Sequence, residues 1–437
     1  MKILAIETSC DETSVAIIET SGLRRQPIVR VFAHFVSSQM KLHAAFGGVV
    51  PNLAKREHER LLAPLLVKAL KEAGIWNFEF GKKIKDFQSQ IQNSPQKADR
   101  PLVDKFQILD SILDREPELL SQFRRKIYDL PVPDIDVIAV TNGPGLAPAL
   151  WVGVNFAKAL ALVWNRPIIP VNHMKGHLFS ALLQCGKKND QCSAKGRSAF
   201  GGQIANVKLP LLALLVSGGH TELVLMKKFG NYEIIGETLD DAAGEAFDKV
   251  ARMLDLGYPG GPAIAEAAQS QKSNVKSQNY NSPPKADPPL AEKVKIKFPR
   301  PMITSKDFNF SFSGLKTSVL YFIRGLADKK FITILRPAIA KEFQDAVVDV
   351  LVAKTIRAAL QYKIKTIVVG GGVAANKLLR ERLSREVKEK CKGVRVFFPH
   401  PSLTGDNALM IAFAAAIDGK KKTPSKIGVA ANLRLSA

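Results

Sequence analysis

His173 and His177 stand four residues apart in Asn172-His173-Met174-Lys175-Gly176-His177. On a helix that spacing puts both imidazoles on one face, as a pair of metal ligands requires, and Asn172 suits the N-cap position. An ordinary helix surface accommodates the same pair, so spacing alone leaves both readings open. Met174 narrows the chemistry, because a helical zinc peptidase carries glutamate directly after the first histidine as general base. Asp406 precedes an apolar run in Thr404-Gly405-Asp406-Asn407. It serves either as an N-cap carboxylate or as the third member of a two-histidine, one-carboxylate set, which suits non-haem Fe(II) and also Zn(II).

Three further groups carry chemistry. Glu7, Asp11 and Glu12 crowd one polar turn, where carboxylates hold a metal-bound nucleotide, act as a base, or simply face solvent. The segments Leu215-Val216-Ser217-Gly218-Gly219 and Gly370-Gly371-Gly372 each follow an apolar run. Such turns let backbone N–H groups approach a phosphate, although a tight structural turn uses glycine in the same way. Asp240-Asp241-Ala242-Ala243-Gly244-Glu245-Ala246-Phe247-Asp248-Lys249 offers carboxylates to a ribose or substrate hydroxyl, and reads equally well as a capped, salt-bridged helix.

The elements that must position these groups alternate between strand and helix. Residues 3–6 and 15–18 are apolar runs around the polar turn and predict a hairpin, with a third strand at 31–36. Pro51 opens a helix that Gly74 closes. Strands are expected at 137–140, 168–171, 211–216, 222–226, 366–369 and 394–398, and helices at 147–164, 341–360, 375–390 and 406–417. Three polar stretches interrupt the pattern, at about 77–130, 186–208 and 270–300. Two of them share a decamer: residues 93–102 and 281–290 differ only at the fourth and eighth positions. Nothing in that repeat can bury a face, so it reads as low-complexity insertion.

Composition bounds the function. The 437 residues hold 63 Lys+Arg against 40 Asp+Glu, a formal net charge of +23, with 46% hydrophobic residues. That apolar fraction excludes wholesale disorder, and the charge favours a polyanionic partner such as nucleic acid. The three polar stretches carry +1, +4 and +5, which leaves +13 on the remainder. Four cysteines without a CxxC pair argue against a disulfide-stapled secreted protein or a zinc ribbon and fit a reducing cytoplasm. Glu7, Asp11 and Glu12 break any signal-peptide core, and the longest apolar tract, 145–164, contains Asn155 and Lys158, so no membrane span is expected.

Taken together, the motifs resemble one family, the bacterial-type tRNA threonylcarbamoyladenosine transferase, formerly labelled an O-sialoglycoprotein endopeptidase. Those motifs are Ile6-Glu7-Thr8-Ser9-Cys10-Asp11-Glu12-Thr13, residues 43–58, Gly143-Pro144-Gly145-Leu146, 173–177, 215–221, 240–249 with 258–262, Phe310-Ser311-Phe312-Ser313-Gly314-Leu315-Lys316, 371–380 and 404–408. They cover nearly the whole chain outside the polar stretches. The resemblance implies an α/β protein of the actin-like ATPase (ASKHA) fold, with two related lobes around a nucleotide cleft and three polar low-complexity insertions. The expected N-terminal lobe is 1–170, the C-terminal lobe carrying metal and substrate sites is 171–418, and 419–437 is a basic tail.

It also implies the reaction, transfer of threonylcarbamoyl from threonylcarbamoyl-adenylate to the N6 amine of the adenosine beside the tRNA anticodon, with release of AMP. Carried over by position, His173, His177 and Asp406 match metal ligands, Fe(II) first and Zn(II) second. Leu215, Val216, Ser217, Gly218, Gly219, Asp248, Gly261 and Asn376 match substrate-binding positions, and Asp11 is the expected base for the attacking amine. The implied partners are tRNA, an adenylate-supplying synthase, a smaller paralogous subunit and a small ATPase subunit. One departure is visible, Asn52 where the family usually carries glutamate. The competing readings are a non-catalytic scaffold of the same complex and, against the evidence of Met174, a metallopeptidase.

Overall fold

The computed structural model describes residues 1–22, 28–75, 100–185, 201–273, 296–326 and 329–435. The first half of the chain runs β1 (Lys2–Glu7), β2 (Glu12–Ser21), β3 (Ile28–Ser38), α1 (Met40–Ala44), α2 (Pro51–Ala73), α3 (Arg100–Ile112) and α4 (Pro117–Lys126). It continues with β4 (Val137–Gly143), α5 (Ala147–Trp164), β5 (Ile168–Asn172), α6 (His173–Ser180), β6 (Leu183–Cys185) and β7 (Gly201–Ile204). Then follow β8 (Leu211–Val216), β9 (Thr221–Met226), β10 (Glu233–Glu237), α7 (Ala243–Met253), α8 (Gly260–Ser273) and α9 (Ser313–Arg324). The last elements are α10 (Lys329–Gln361), β11 (Thr366–Gly370), α11 (Lys377–Lys390), β12 (Arg395–Phe397) and α12 (Ala408–Asp418).

These elements form two compact units. One comprises 1–42, 49–206 and 399–435; the other comprises 43–48 and 207–398 among the described residues. The expected lobe boundaries differ from this division, because the chain beyond Pro399 returns to the first unit and takes Asp406 with it. His173, His177 and Asp406 therefore belong to the first unit rather than to a C-terminal lobe.

The two sheets repeat one pattern. The first runs β5-β4-β1-β2-β3-β7-β6 and the second β10-β9-β8-β11-β12. In the first, β3, β2 and β1 form an antiparallel meander, and β4 and β5 continue it in parallel with β1. In the second, β10, β9 and β8 form the meander, and β11 and β12 continue it in parallel with β8. Strands covered on both faces read as unbroken apolar runs, and β1 and β8 show them: residues 3–7 and 211–216 are buried without interruption.

In the first unit, Leu4, Ile6, Val15 and Ile17 pack with Leu62 and Leu66 of α2 and Val152 and Phe156 of α5. Gly74 ends α2 in the left-handed region at φ 63°, which glycine adopts without a Cβ penalty. The tract at 145–164, expected to be too polar for a span, contains α5, which is long and apolar enough by length and composition and is mostly buried in this core. The second unit packs Leu212 and Leu214 of β8 with Phe247 and Val250 of α7, Phe343 and Val347 of α10, and Ile367 of β11.

The polar stretches need correction. Within 77–130, α3 and α4 put Leu109, Leu113, Leu119 and Phe123 into the core of the first unit, and Phe123 meets Phe156 edge to face at 6.0 Å. Sparse apolar residues at helical spacing, set in a polar background, hid these two amphipathic helices. Within 186–208, residues 201–204 form β7, which pairs with β3. Within 270–300, α8 extends to Ser273 and Phe298 is buried. The repeated decamer at 281–290 lies outside the described residues, as does the copy at 93–102 apart from its last three. The expected tail is packed too, for Lys422 bridges Ile168 and both Ile427 and Leu435 are buried.

Candidate metal centre and glycine turns

Two of the parallel strands of the first unit end in groups that the sequence singled out, Glu7 and Asn172. Glu7 closes β1, Thr141 stands near the end of β4, and Asn172 closes β5. Asn172 caps α6, its side chain accepting from the N–H groups of Met174 at 2.9 Å and Lys175 at 3.3 Å. His173 and His177 then leave the same face of α6, with ring centroids 4.6 Å apart and planes at 84°. Between them, Gly176 leaves so little space that a Cβ there would come within 2.9 Å of Met410 Cγ. This close approach draws α12 onto α6, and the residues leading into α12 bring Asp406 to the histidines.

Asp406 Oδ1 lies 3.3 Å from His173 Nε2 and 3.1 Å from His177 Nε2. The cap of α12 is Asn407, which accepts from Met410 N at 3.0 Å, so Asp406 is not the N-cap carboxylate of that helix. His177 is fully buried, and neither of its ring nitrogens makes a hydrogen bond among the described residues. A buried imidazole with an unused lone pair beside a second imidazole and a carboxylate is a donor set that fits a divalent metal ion. One ligand atom from each of the three residues lies within 4.8 Å of the others.

The electrostatics favour a cation. Burial by itself lowers the pKa of His173, but the carboxylates of Asp406 and then Glu7 outweigh it and hold the imidazole well above its ordinary value. Burial would likewise raise Asp406, and the neighbouring His173 reverses that and holds the carboxyl below the usual range. Glu12 goes the other way: burial first, then the charges of Asp406 and Asp11, push it well above the carboxylate range. Asp11, expected as the base, sits beside Glu12 and Cys10 in the same turn, and its backbone carbonyl accepts from Gln39 N at 2.8 Å.

In the second unit the glycine turns occupy the corresponding place, the carboxyl ends of parallel strands, where open α/β sheets bind ligands. β8 pairs Leu215 with Gly370 of β11, so Leu215, Val216, Ser217, Gly218 and Gly219 come beside residues 370–376. Ser217 N donates to His220 O at 2.9 Å, which closes the first turn, while Gly218, Gly219 and Gly261 face open space where a Cβ would begin. Gly244 N donates to Ser217 O at 3.2 Å and starts α7 against this turn. One turn along α7, Asp248 accepts from Gly260 N at 2.7 Å and fixes the start of α8. Asn376 caps α11 through Leu379 N at 3.1 Å and donates to Gln344 at 2.9 Å. The carboxylates at 240–241 prove structural: Asp240 accepts from Ser311, Phe312 and Ser313, and Asp241 pairs with Lys249 and Lys316 at 2.8 Å each.

Comparison with known proteins decides the family. The family model described as "TsaD: tRNA N6-adenosine threonylcarbamoyltransferase" matches residues 30–78 and 125–413. The chain belongs to the TsaD family. Among its relatives is the tRNA N6-adenosine threonylcarbamoyltransferase of Ralstonia pickettii (strain 12J), 40% identical over 420 residues that span 95% of this chain and 91% of that protein. The like-named protein of Bacillus thuringiensis (strain Al Hakam) is 38% identical over 424 residues, 96% of this chain and 93% of that one. A solved structure of HypF from T. kodakarensis overlaps 70% of this chain and 42% of its own at 13% identity, with a TM-score of 0.41.

The matched TsaD segments contain His173, His177, Asp406 and the glycine turns of the second unit. They omit residues 1–29, which hold Glu7 and Asp11, and 79–124, which hold α3 and most of α4. This TsaD chain nevertheless anchors the latter stretch to the matched helices: Lys55 of α2 donates to Arg115 O at 2.7 Å, and Asn155 of α5 donates to Glu116 at 3.0 Å. Two groups at the metal centre escaped the sequence reading, Ser9 and Thr141. Both contact the Glu7–His173 pair, and as an isolated serine and threonine they carry no pattern that would single them out.

Proposed function

We propose that this chain passes the threonylcarbamoyl group of threonylcarbamoyl-adenylate to the N6 amine of the adenosine beside a tRNA anticodon, releasing AMP. That it is a transferase of tRNA modification follows from its family. The observation that supports the finer reading is the convergence of His173, His177 and Asp406 at the carboxyl ends of parallel strands. These three residues would hold a divalent ion, Fe(II) by family precedent or Zn(II). When bound, such an ion acts as a Lewis acid toward the carbamoyl oxygen, where negative charge develops during acyl transfer.

The rest of the chemistry falls to the chain's own groups. Backbone donors at Gly218 and Gly219 hold the adenylate phosphate; Ser217, whose own N–H is spent on His220 O, closes the turn, and Leu215 and Val216 carry it. Asp248, Gly261 and Asn376 shape the adjoining contacts with the nucleoside. Asp11 takes the proton from the attacking amine. The repeated sheet topology, one sheet in each unit, supports an actin-like ATPase (ASKHA) fold. The net charge of +23 suits tRNA as partner. A synthase that supplies the adenylate, a smaller paralogous subunit and a small ATPase subunit complete the proposed cytoplasmic system.

The test combines the purified chain with those partners, the adenylate and tRNA, and follows modified adenosine by nucleoside mass spectrometry. Product that disappears in His173→Ala while tRNA binding persists supports the reading. An unchanged rate in that variant would turn the chain into a scaffold.

A further inference from the structure

We propose that Glu7 is the positioning residue of the metal centre: its buried carboxylate accepts the Nδ1–H of His173 and so leaves the Nε2 lone pair facing Asp406 and His177. The inference rests on reading the triad as a metal site, and it concerns how this chain sets one ligand's tautomer.

Glu7 has no exposed surface. Its carboxylate is fixed from two elements besides its own strand. Thr141 of β4 donates to Oε2 at 2.6 Å, and the backbone N–H of Ser9 donates to Oε1 at 2.5 Å. The same Oε2 lies 3.2 Å from His173 Nδ1. An ionised carboxylate has no proton to give, so this contact is a hydrogen bond only when Nδ1 carries the hydrogen. The imidazole that would hold a metal ion is the neutral form, which has one such hydrogen; with that hydrogen on Nδ1, Nε2 keeps its lone pair. That nitrogen is the one 3.3 Å from Asp406 Oδ1.

Ser9 Oγ also stands 3.2 Å from Nδ1, but a hydroxyl donates or accepts and cannot choose the tautomer alone. The carboxylate makes the choice. His177 has no equivalent support, since its Nδ1 makes no hydrogen bond among the described residues. The centre is thus asymmetric, with one histidine oriented from behind and the other held by packing. A carboxylate behind a metal-bound imidazole fixes ring orientation and raises ligand basicity, and its removal typically weakens metal binding about 10–100-fold.

Glu7→Gln is the informative variant, because the amide N–H₂ turned toward Nδ1 donates where the carboxylate accepted. The full chain is stripped with chelator and titrated with Co(II), read by its visible d–d absorption, and with Zn(II) against a chromophoric chelator. Far-UV circular dichroism verifies folding. Glu7→Gln is expected to weaken both metals about 10–100-fold, while Glu7→Asp, which keeps the charge, recovers part of the loss. Affinity in Glu7→Gln within about threefold of the parent, in a protein that binds metal and loses it in His173→Ala, overturns this proposal and spares the metal site. A parent chain that takes up neither metal overturns both.

Should Glu7→Gln fail to fold, the tautomer is read directly in the parent. Two-bond ¹H–¹⁵N correlation spectra of the histidine-labelled, Zn(II)-loaded chain are expected to show His173 protonated at Nδ1. Protonation at Nε2 overturns the proposal.

Discussion

His177 Nε2 lies 3.1 Å from Asp406 Oδ1, yet the pair lacks the alignment of a hydrogen bond. Two groups brought this close without bonding to each other are arranged for a third. His177→Ala and Asp406→Asn are therefore each expected to abolish stoichiometric metal, measured by elemental analysis, and to lower product formation by about a hundredfold or more. Retained metal in either variant would remove that residue from the ligand set.

Asn155 and Glu116 make a second test, away from the metal. Burial raises the Glu116 pKa, and the Asn155 amide opposes this as its hydrogen-bond donor. Asn155→Leu strands that carboxyl and is expected to cost about 1–3 kcal/mol in urea denaturation. Adding Glu116→Leu removes the orphan and should restore part of the loss, so a double variant no more stable than the single one would contradict this account.

Gly371 sits at φ 89°, and a Cβ there would lie 2.3 Å from the Val216 carbonyl oxygen, so there is no space for one. Gly371→Ala should destabilise the protein by at least about 2 kcal/mol, combining backbone strain with the displaced β8 carbonyl. The denaturation midpoint reads this out. A neutral effect would mean that the turn relaxes freely.

His34 on β3 gives a pH dependence. Burial lowers its pKa from 6.5 to about 4, and its Nε2 makes no hydrogen bond among the described residues. Between those values the unfolded chain binds the proton and the folded one does not. The contribution is therefore intact above pH 6.5 and lost as pH falls toward 4, at up to ~1.4 kcal/mol per pH unit. His34→Leu should flatten the stability profile in that window, and a profile parallel to the parent would refute the assignment.

Much of this architecture was legible in the residues because it rests on local chemistry. Asn172 announced the start of α6, Gly74 the end of α2, and the apolar run at 211–216 a strand covered on both sides. The histidine spacing pointed to the metal centre, since i and i+4 share a helix face. What stayed hidden was set at long range. Glu7 looked like one of three turn carboxylates, and its role depends on Thr141 and His173, more than 130 residues away. The expected C-terminal lobe, 171–418, includes Asp406, although α12 folds back onto β1 and β2. α3 and α4 were masked by their polar surroundings, and only their contact with α2 and α5 reveals an apolar face.

The return of the chain to its first compact unit bears on biosynthesis. Asp406 leaves the ribosome 229 residues after His177, and the intervening stretch holds almost all of the second unit. At the usual ~5–20 residues per second, the histidines wait roughly 10–50 s for their carboxylate partner. Metal captured during that interval meets two imidazoles without Asp406, so secure loading belongs to the finished chain, and a message truncated before α12 yields a protein whose second unit is complete and whose metal centre is not.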